Sequence, residues 1–183
     1  MLLVLIGCGA CVNPTASTVQ IALAFGFIIA SMVQSIGHVS GCHINPAVTL
    51  GLFAMGRIGL VKGLIYMVTQ CAGALVGAAI LKYIVNNGIY VSSLGATQLH
   101  PSIDVGQGIA IEAIITSVLV LVVGAVTDPD RKEELGNAAP VAIGLAIACS
   151  HLFAVPLTGS GMNPARSLGP AAVASTWENH WVR

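Results

Sequence analysis

The sequence predicts an all-α membrane protein, and three observations support this fold class. Of its 183 residues, 56% are hydrophobic and only 8% are charged, whereas soluble domains carry about 25% charged residues. Several apolar stretches reach the roughly 20 residues that a helix needs to cross a bilayer. One stretch of the chain, with its polar loop and a following short apolar segment, also occurs twice. A chain with only 8% charged residues cannot provide the polar surface of a water-soluble domain.

The apolar segments define the predicted elements. Those that we interpret as spanning helices lie at about 1–12, 18–37, 61–85, 107–126 and 138–155. Two further apolar segments, at about 45–55 and 163–174, contain only about ten residues. A helix of that length cannot cross a bilayer, so both are expected to be re-entrant half helices.

The opening segment, MLLVLIGCGAC, could be mistaken for a secretory signal. It has no basic leader, and the apolar region before its first cysteine is too short. We therefore interpret it as the second half of a spanning helix, and we expect the chain to be truncated.

The positive charges predict an orientation. Arg57 and Lys62 flank the connection before the third predicted span, and Arg131 and Lys132 lie between the fourth and the fifth. Cytoplasmic loops are enriched in Lys and Arg. We therefore expect the connection around Arg57–Lys62 and the loop Asp128–Gly136 to be cytoplasmic, and residues 86–106, which contain no Lys or Arg, to be external.

Several function classes find no support in the sequence. Cys8 and Cys11 form one CxxC pair, but no second pair or histidine cluster completes a metal site. The sequence shows no nucleophile–base pair of the kind that an enzyme would need. Its basic residues are too scattered to indicate a nucleic-acid partner. We expect no catalytic residues, no metal and no cofactor.

An internal repeat at an offset of 118 residues is the most informative feature. Ten of the 28 pairs between 24–51 and 142–169 are identical, including Gly-x-x-x-Asn-Pro-Ala in both copies. Three predicted spans separate Asn45 from Asn163, so the second copy enters the membrane from the opposite face. Inverted repeats of this kind build transport sites at the bilayer midplane.

The Asn-Pro-Ala sequences suit the start of a half helix inside a membrane. Pro46 and Pro164 lack an N–H and preset φ for the first helical turn. Asn45 and Asn163 are good N-caps for backbone donors that hydrocarbon would leave unpaired. Two such helices meeting end to end would place two positive dipole ends at the midplane.

These residues resemble the aquaporin, or major intrinsic protein, family, in its water-selective animal-type branch. The resemblance rests on HINPAVT at 43–49 and GMNPARS at 161–167, and it extends over the whole chain. It implies a single channel domain, 1–183, made of repeat one (about 1–85) and repeat two (about 107–183). It also implies six spans, of which the start of the first and all of the sixth are absent, and a homotetramer in the lipid bilayer of the plasma membrane.

The resemblance also implies a set of site residues. The two pore motifs are Asn45, Pro46, Ala47 and Asn163, Pro164, Ala165. The selectivity constriction would comprise Phe25, His151, Ser160 and Arg166. The carbonyls that line the pore would be those of Gly41, Cys42, His43, Gly159, Ser160 and Gly161. Glu112 would anchor the second re-entrant loop as structural support.

The implied function is a passive water pore that excludes protons and ions. The alternative is a pore that also passes glycerol or other small neutral solutes, although His151 and Ser167 favour water. A coupled transporter would need acids near the midplane, and Glu112 is the one acid within a predicted span. Taken alone, His151 and Phe25 could be ordinary core residues, and only their spacing from the two motifs favours a pore role.

Overall fold

The fold is described by a computed structural model that covers residues 1–85, 93–131 and 138–182, apart from the side chain of Trp181. Its helices are α1 (Thr18–Ser40), α2 (Pro46–Ala54), α3 (Leu60–Ile84), α4 (Val105–Val126), α5 (Ala139–Thr158) and α6 (Pro164–Ala174). A π-helical turn, Val4–Cys8, continues into Gly9–Cys11, and short 3₁₀ turns occupy Pro129–Arg131 and His180–Val182. No strand occurs in these ranges.

The predicted membrane elements are confirmed. Helices α1, α3, α4 and α5 are each long and apolar enough to cross a bilayer. Helices α2 and α6 contain nine and eleven residues, so both are too short to span. The predicted loops 86–106 and Asp128–Gly136 lie partly outside the described residues.

Local sequence signals set where the long helices begin and end. Ser17 with Gln20 and Asp104 with Gln107 form capping boxes at the starts of α1 and α4. Helices α1 and α5 both end at a glycine with positive φ, 75° at Gly41 and 79° at Gly159, a conformation that glycine adopts readily. The two glycines are repeat mates, so the chain leaves both spans in the same way.

Helices α1 and α5 cross at a pair of repeat-related glycines. A Cβ added at Gly26 would lie 2.7 Å from the carbonyl oxygen of Gly144, and one added at Gly144 would lie 2.7 Å from that of Gly26. Small residues allow two membrane helices to approach this closely. The reciprocal contact lies where the two copies of the repeat meet.

The half helices pack against spans of the other repeat. In α2, a Cβ at Gly51 would collide with Val120 of α4, and Gly124 of α4 is covered by Met55. In α6, a Cβ at Gly169 would lie 2.6 Å from the carbonyl oxygen of Ala74 in α3. These close contacts bring the two half helices into the centre of the bundle.

The outer faces of the long helices are apolar and exposed. Phe27, Val68, Leu121 and Val141 each have at least 60% of their surface exposed. A patch of this extent on a soluble monomer would be exceptional. On a chain with four candidate spans it is the surface that lipid covers.

Candidate functional site

The two loops that precede the half helices have matching and unusual backbones. In the first, φ is 75° at Gly41, 46° at Cys42 and 41° at Ile44; in the second it is 79°, 55° and 50° at the repeat mates of these residues, which are Gly159, Ser160 and Met162. Positive φ is uncommon outside glycine and rare for a β-branched residue such as Ile44. Strained backbone of this kind concentrates at functional sites.

Each half helix begins with an asparagine that caps it. The Oδ1 atom of Asn45 accepts from the N–H of Ala47 at 2.8 Å. The Oδ1 atom of Asn163 accepts from Ala165 at 3.1 Å and from Arg166 at 3.2 Å. The side-chain oxygens are therefore committed to the backbone, which fixes the direction of each amide nitrogen.

The amide nitrogens tie the two loops to each other. Asn45 Nδ2 donates to the carbonyl of Met162, and Asn163 Nδ2 donates to the carbonyl of Ile44, both at 2.9 Å. Ile44 and Met162 are themselves repeat mates, so the two bonds are related by the repeat. Both half helices consequently start at one point in the centre of the molecule.

A cavity of about 520 Å³ runs past this point. Both asparagines line it, together with Gly41, Cys42 and His43 of the first loop and Gly161 and Met162 of the second. Apolar residues of α1, α4 and α5, such as Ile29, Leu119 and Ile147, form much of its wall. The cavity is thus apolar along its sides, with polar groups concentrated on the two loops.

Three side chains of the predicted constriction form a stack at one end of this cavity. The rings of Phe25 and His151 are stacked with centroids 4.3 Å apart, and the guanidinium of Arg166 lies 5.0 Å from the Phe25 centroid. All three are at most 2% exposed. Gly7 makes room for the ring, because a Cβ there would lie 2.5 Å from Phe25.

The stack also contains polar atoms that have no partner among the described residues. His151 Nδ1 lies 2.9 Å from the carbonyl of Ile147, and Arg166 Nη1 donates to the carbonyl of Gly95 at 2.8 Å. His151 Nε2 and Arg166 Nε are buried and unbonded among the described residues. Buried polar atoms nearly always have a partner, so these two nitrogens suit a polar molecule that passes between them.

Two of the predicted pore residues lie away from the cavity wall. Ser160 and Gly159 are not among the residues that line it. Ser160 is fully buried, and its hydroxyl has no partner within the described ranges. Its repeat mate Cys42 does line the cavity. The structure therefore places the two repeat-related positions differently.

Glu112 supports the second loop from α4. Its carboxylate accepts from the N–H of Gly161 at 2.9 Å, from that of Met162 at 2.9 Å, and from the hydroxyl of Thr158 at 2.5 Å. The side chain is 5% exposed. A side chain at residue 161 would displace this carboxylate, since a Cβ there would lie 2.9 Å from Glu112 Oε2.

Neutral groups support the first loop. Thr49 Oγ1 donates to the carbonyl of Asn45 at 3.0 Å, accepts from Gln70 Nε2 at 3.0 Å, and lies 3.1 Å from His43 Nδ1. The hydroxyl of Tyr66 donates to the carbonyl of Ser40 at 3.1 Å. Span α3 thus holds the first loop by hydrogen bonds of side chains without formal charge.

The sequence did not point to two of the supporting groups. Lys82 Nζ donates at 3.0 Å to the carbonyl of Val173 in the last turn of α6, where a cation is favoured by the helix dipole. Gly95, which holds Arg166, lies in the predicted external loop. Neither Lys82 nor Gly95 lies at a characteristic spacing from the two Asn-Pro-Ala motifs. A lone lysine near the end of an apolar span does, however, suggest a nearby acceptor.

Comparisons with known proteins identify the family. The sequence model of one family, described as Major intrinsic protein, matches residues 1–183. The chain is 48% identical over 164 residues to Aquaporin-1 of Sus scrofa, covering 90% of this chain and 60% of that protein. It is 47% identical over 164 residues to Aquaporin-4 of Bos taurus, covering 90% of this chain and 50% of that one.

The fold also has a counterpart among solved structures. An aquaglyceroporin from Plasmodium falciparum superposes with a TM-score of 0.86 at 25% identity, over 98% of this chain and 84% of that one. The chain spans 50–60% of the length of the two relatives named above.

Proposed function

The chain belongs to the major intrinsic protein family, and we propose that it forms a passive, water-selective channel driven by osmotic gradients and closed to protons and ions. The observation that carries this proposal is the cavity that runs from the stack of Phe25, His151 and Arg166 past Asn45 and Asn163. Aquaporin-1 and Aquaporin-4 are the names of relatives that are nearly half identical to it over 90% of its length.

Water crosses the cavity by exchanging hydrogen bonds. The unpaired His151 Nε2 and Arg166 Nε supply partners at the narrow end. The carbonyls of Gly41, Cys42, His43 and Gly161, which are the predicted loop residues that line the cavity, serve as acceptors. The apolar walls offer water no hydrogen bonds. A single file of water molecules therefore follows the polar groups of the two loops.

Selectivity follows from size and charge at the stack. The aromatic rings of Phe25 and His151 occupy the space that the carbon backbone of glycerol would need. The positive charge of Arg166 and the N-terminal ends of α2 and α6 repel cations. Ser160, the fourth member of the predicted constriction, is fully buried and does not line this cavity.

Proton exclusion falls to the two asparagines. Each amide nitrogen has two N–H groups, and one of them donates to the opposite loop. Both asparagines line the cavity, and in this proposal the second N–H of each donates to the oxygen of a water at the midplane. A water whose oxygen accepts from both sides cannot accept a proton from the next water, so the conducting chain is broken there.

The same proposal includes the arrangement in the membrane. The chain is an integral membrane protein of the plasma membrane, with the connections Arg57–Lys62 and Asp128–Gly136 on the cytoplasmic side. It is one domain, 1–183, built from the repeats 1–85 and 107–183, and it assembles as a homotetramer through its exposed apolar faces.

Osmotic swelling measured beside solute uptake tests the proposal. In proteoliposomes we expect accelerated swelling with little glycerol entry, whereas comparable glycerol entry would favour the alternative pore. The double substitution of His151 by alanine and Arg166 by valine should remove the stack and admit glycerol or urea. A folded double variant with an unchanged solute profile would show that the stack does not set selectivity.

A further inference from the structure

The cavity meets a second arginine at the end opposite the stack. Among the described residues that line it, only Arg166 and Arg57 carry a formal charge, and no Asp or Glu lines it. Arg57 follows the C-terminal turn of α2 and lies on the cavity wall beside Gly56, Thr127 and Pro129. Arg57 is not part of the predicted site.

The guanidinium of Arg57 is held in place by the end of α4. Its Nη1 atom donates to the carbonyl of Gly124 at 2.9 Å and to the hydroxyl of Thr127 at 3.3 Å. Its Nη2 atom forms an ion pair with Asp128 Oδ2 at 3.0 Å. Three bonds in the planar fork of an arginine fix both its position and its orientation.

The ion pair is asymmetric with respect to the cavity. Arg57 lines the cavity, whereas Asp128 is not among the lining residues. An ion inside the cavity is therefore next to the guanidinium and not next to the carboxylate. A charge at a cleft bounded by low-dielectric walls has a larger effect on a passing ion than the same charge on an open surface.

We propose that Arg57 is a second specificity-determining residue of the channel, an electrostatic barrier to cations at the mouth opposite Arg166. The inference rests on the proposed function, since it gives the pore an arginine at each end. Arg166 is held by the carbonyl of Gly95 and Arg57 by the carbonyl of Gly124. Both charges are thus positioned by backbone oxygens of a neighbouring segment.

Cys42 provides an internal probe of the potential inside this mouth. It lines the same cavity and is a free thiol. Two methanethiosulfonate reagents of similar size, one cationic and one anionic, are applied from the Arg57 side to the protein in membrane vesicles. The ratio of their reaction rates with Cys42 reports the local potential, because a change in mouth width alters both rates together. The Cys42→Ser variant supplies the blank for the other cysteines.

We expect Arg57→Gln to raise the cationic-to-anionic rate ratio about fivefold, and Arg57→Lys to keep the original ratio. Arg131→Gln is the matched control, because it removes an equal charge near the same end from a residue that does not line the cavity. An unchanged ratio in Arg57→Gln, or an equal rise in Arg131→Gln, would overturn the proposal.

A second variant covers the case in which Arg57→Gln does not fold. Asp128→Asn leaves Arg57 bonded to Gly124 and removes the compensating charge, so the ratio should fall below that of the unsubstituted protein. A ratio that stays the same or rises would also refute the barrier. The readout does not depend on water flow, so a failure here is distinct from a failure of the proposed function.

Discussion

The two re-entrant hairpins, residues 41–54 and 159–174, have the same backbone but different supports. Their loops have positive φ at matching positions, and their asparagines exchange matching hydrogen bonds. The second loop is held by the carboxylate of Glu112, which accepts from two backbone N–H groups. The first loop is held by the hydroxyl of Thr49 and the amide of Gln70.

This difference shows that the half-helix geometry does not depend on one kind of anchor. A buried carboxylate that accepts several N–H bonds is a strong support, but removing it leaves all of its donors unpaired. A neutral network distributes the same task over weaker bonds. We therefore expect the second hairpin to be more sensitive to a single substitution than the first.

The largest effect is expected from Glu112→Ala. The change leaves the N–H groups of Gly161 and Met162 without their acceptor, and the hydroxyl of Thr158 keeps only a long bond to the carbonyl of Ala154. Each buried unpaired group costs about 1–3 kcal/mol, so we expect a destabilisation of about 3 kcal/mol or more and a large loss of water permeability. Thermal unfolding in detergent and vesicle swelling at matched protein density measure the two effects.

Ile114→Ala is the matched control for this prediction. Ile114 lies on the same helix and is 60% exposed, so its truncation removes apolar surface without touching the loop. If Glu112→Ala and Ile114→Ala are equally stable, the carboxylate does not support the second hairpin. The proposed difference between the two hairpins would then be wrong.

A smaller effect is expected from the pair Thr49→Val and Ser167→Ala, which are repeat mates. Thr49 is the centre of the first network, so its loss leaves the amide nitrogen of Gln70 unpaired, and Gln70 Oε1 already has no partner among the described residues. We expect about 1–2 kcal/mol of destabilisation. Ser167 accepts one long bond, 3.3 Å, from Thr97, so its loss should cost about 0.5–1 kcal/mol.

Thermal unfolding of these two variants beside Glu112→Ala gives the ranking. The expected order is Glu112→Ala, then Thr49→Val, then Ser167→Ala. If Ser167→Ala proves as damaging as Glu112→Ala, the carboxylate is not the main support of the second hairpin.

The smallest expected effect concerns the repeat mates Cys42 and Ser160. Cys42 lines the cavity, so a mercurial bound to its thiol should narrow the cavity and partially reduce the rate of swelling. Cys42→Ser should abolish this block. Cys149→Ser should leave it intact, because Cys149 is exposed outside the cavity. Block that persists in an active Cys42→Ser channel would contradict the placement of residue 42 on the pore wall.

Much of the fold could be predicted because its signals are local. Apolar length alone identified the spans, and the Asn-Pro-Ala sequences located the starts of α2 and α6 at Pro46 and Pro164. The repeat offset also paired Gly26 with Gly144, which are in reciprocal contact in the structure. The packing that places Gly7 beneath the Phe25 ring could not be predicted, because a glycine in an apolar run gives no sign of which side chain fills its space.

The sequence by itself determined the class of this protein, the duplication and the two capped half helices, because periodicity, proline and asparagine act over a few neighbouring residues. Only the tertiary structure decided which groups meet across the bundle. It joined Arg166 to the carbonyl of Gly95, Lys82 to that of Val173 and Arg57 to that of Gly124. Backbone carbonyls look alike in a sequence, so the choice among them is made by the packing of helices and loops that lie far apart in the chain.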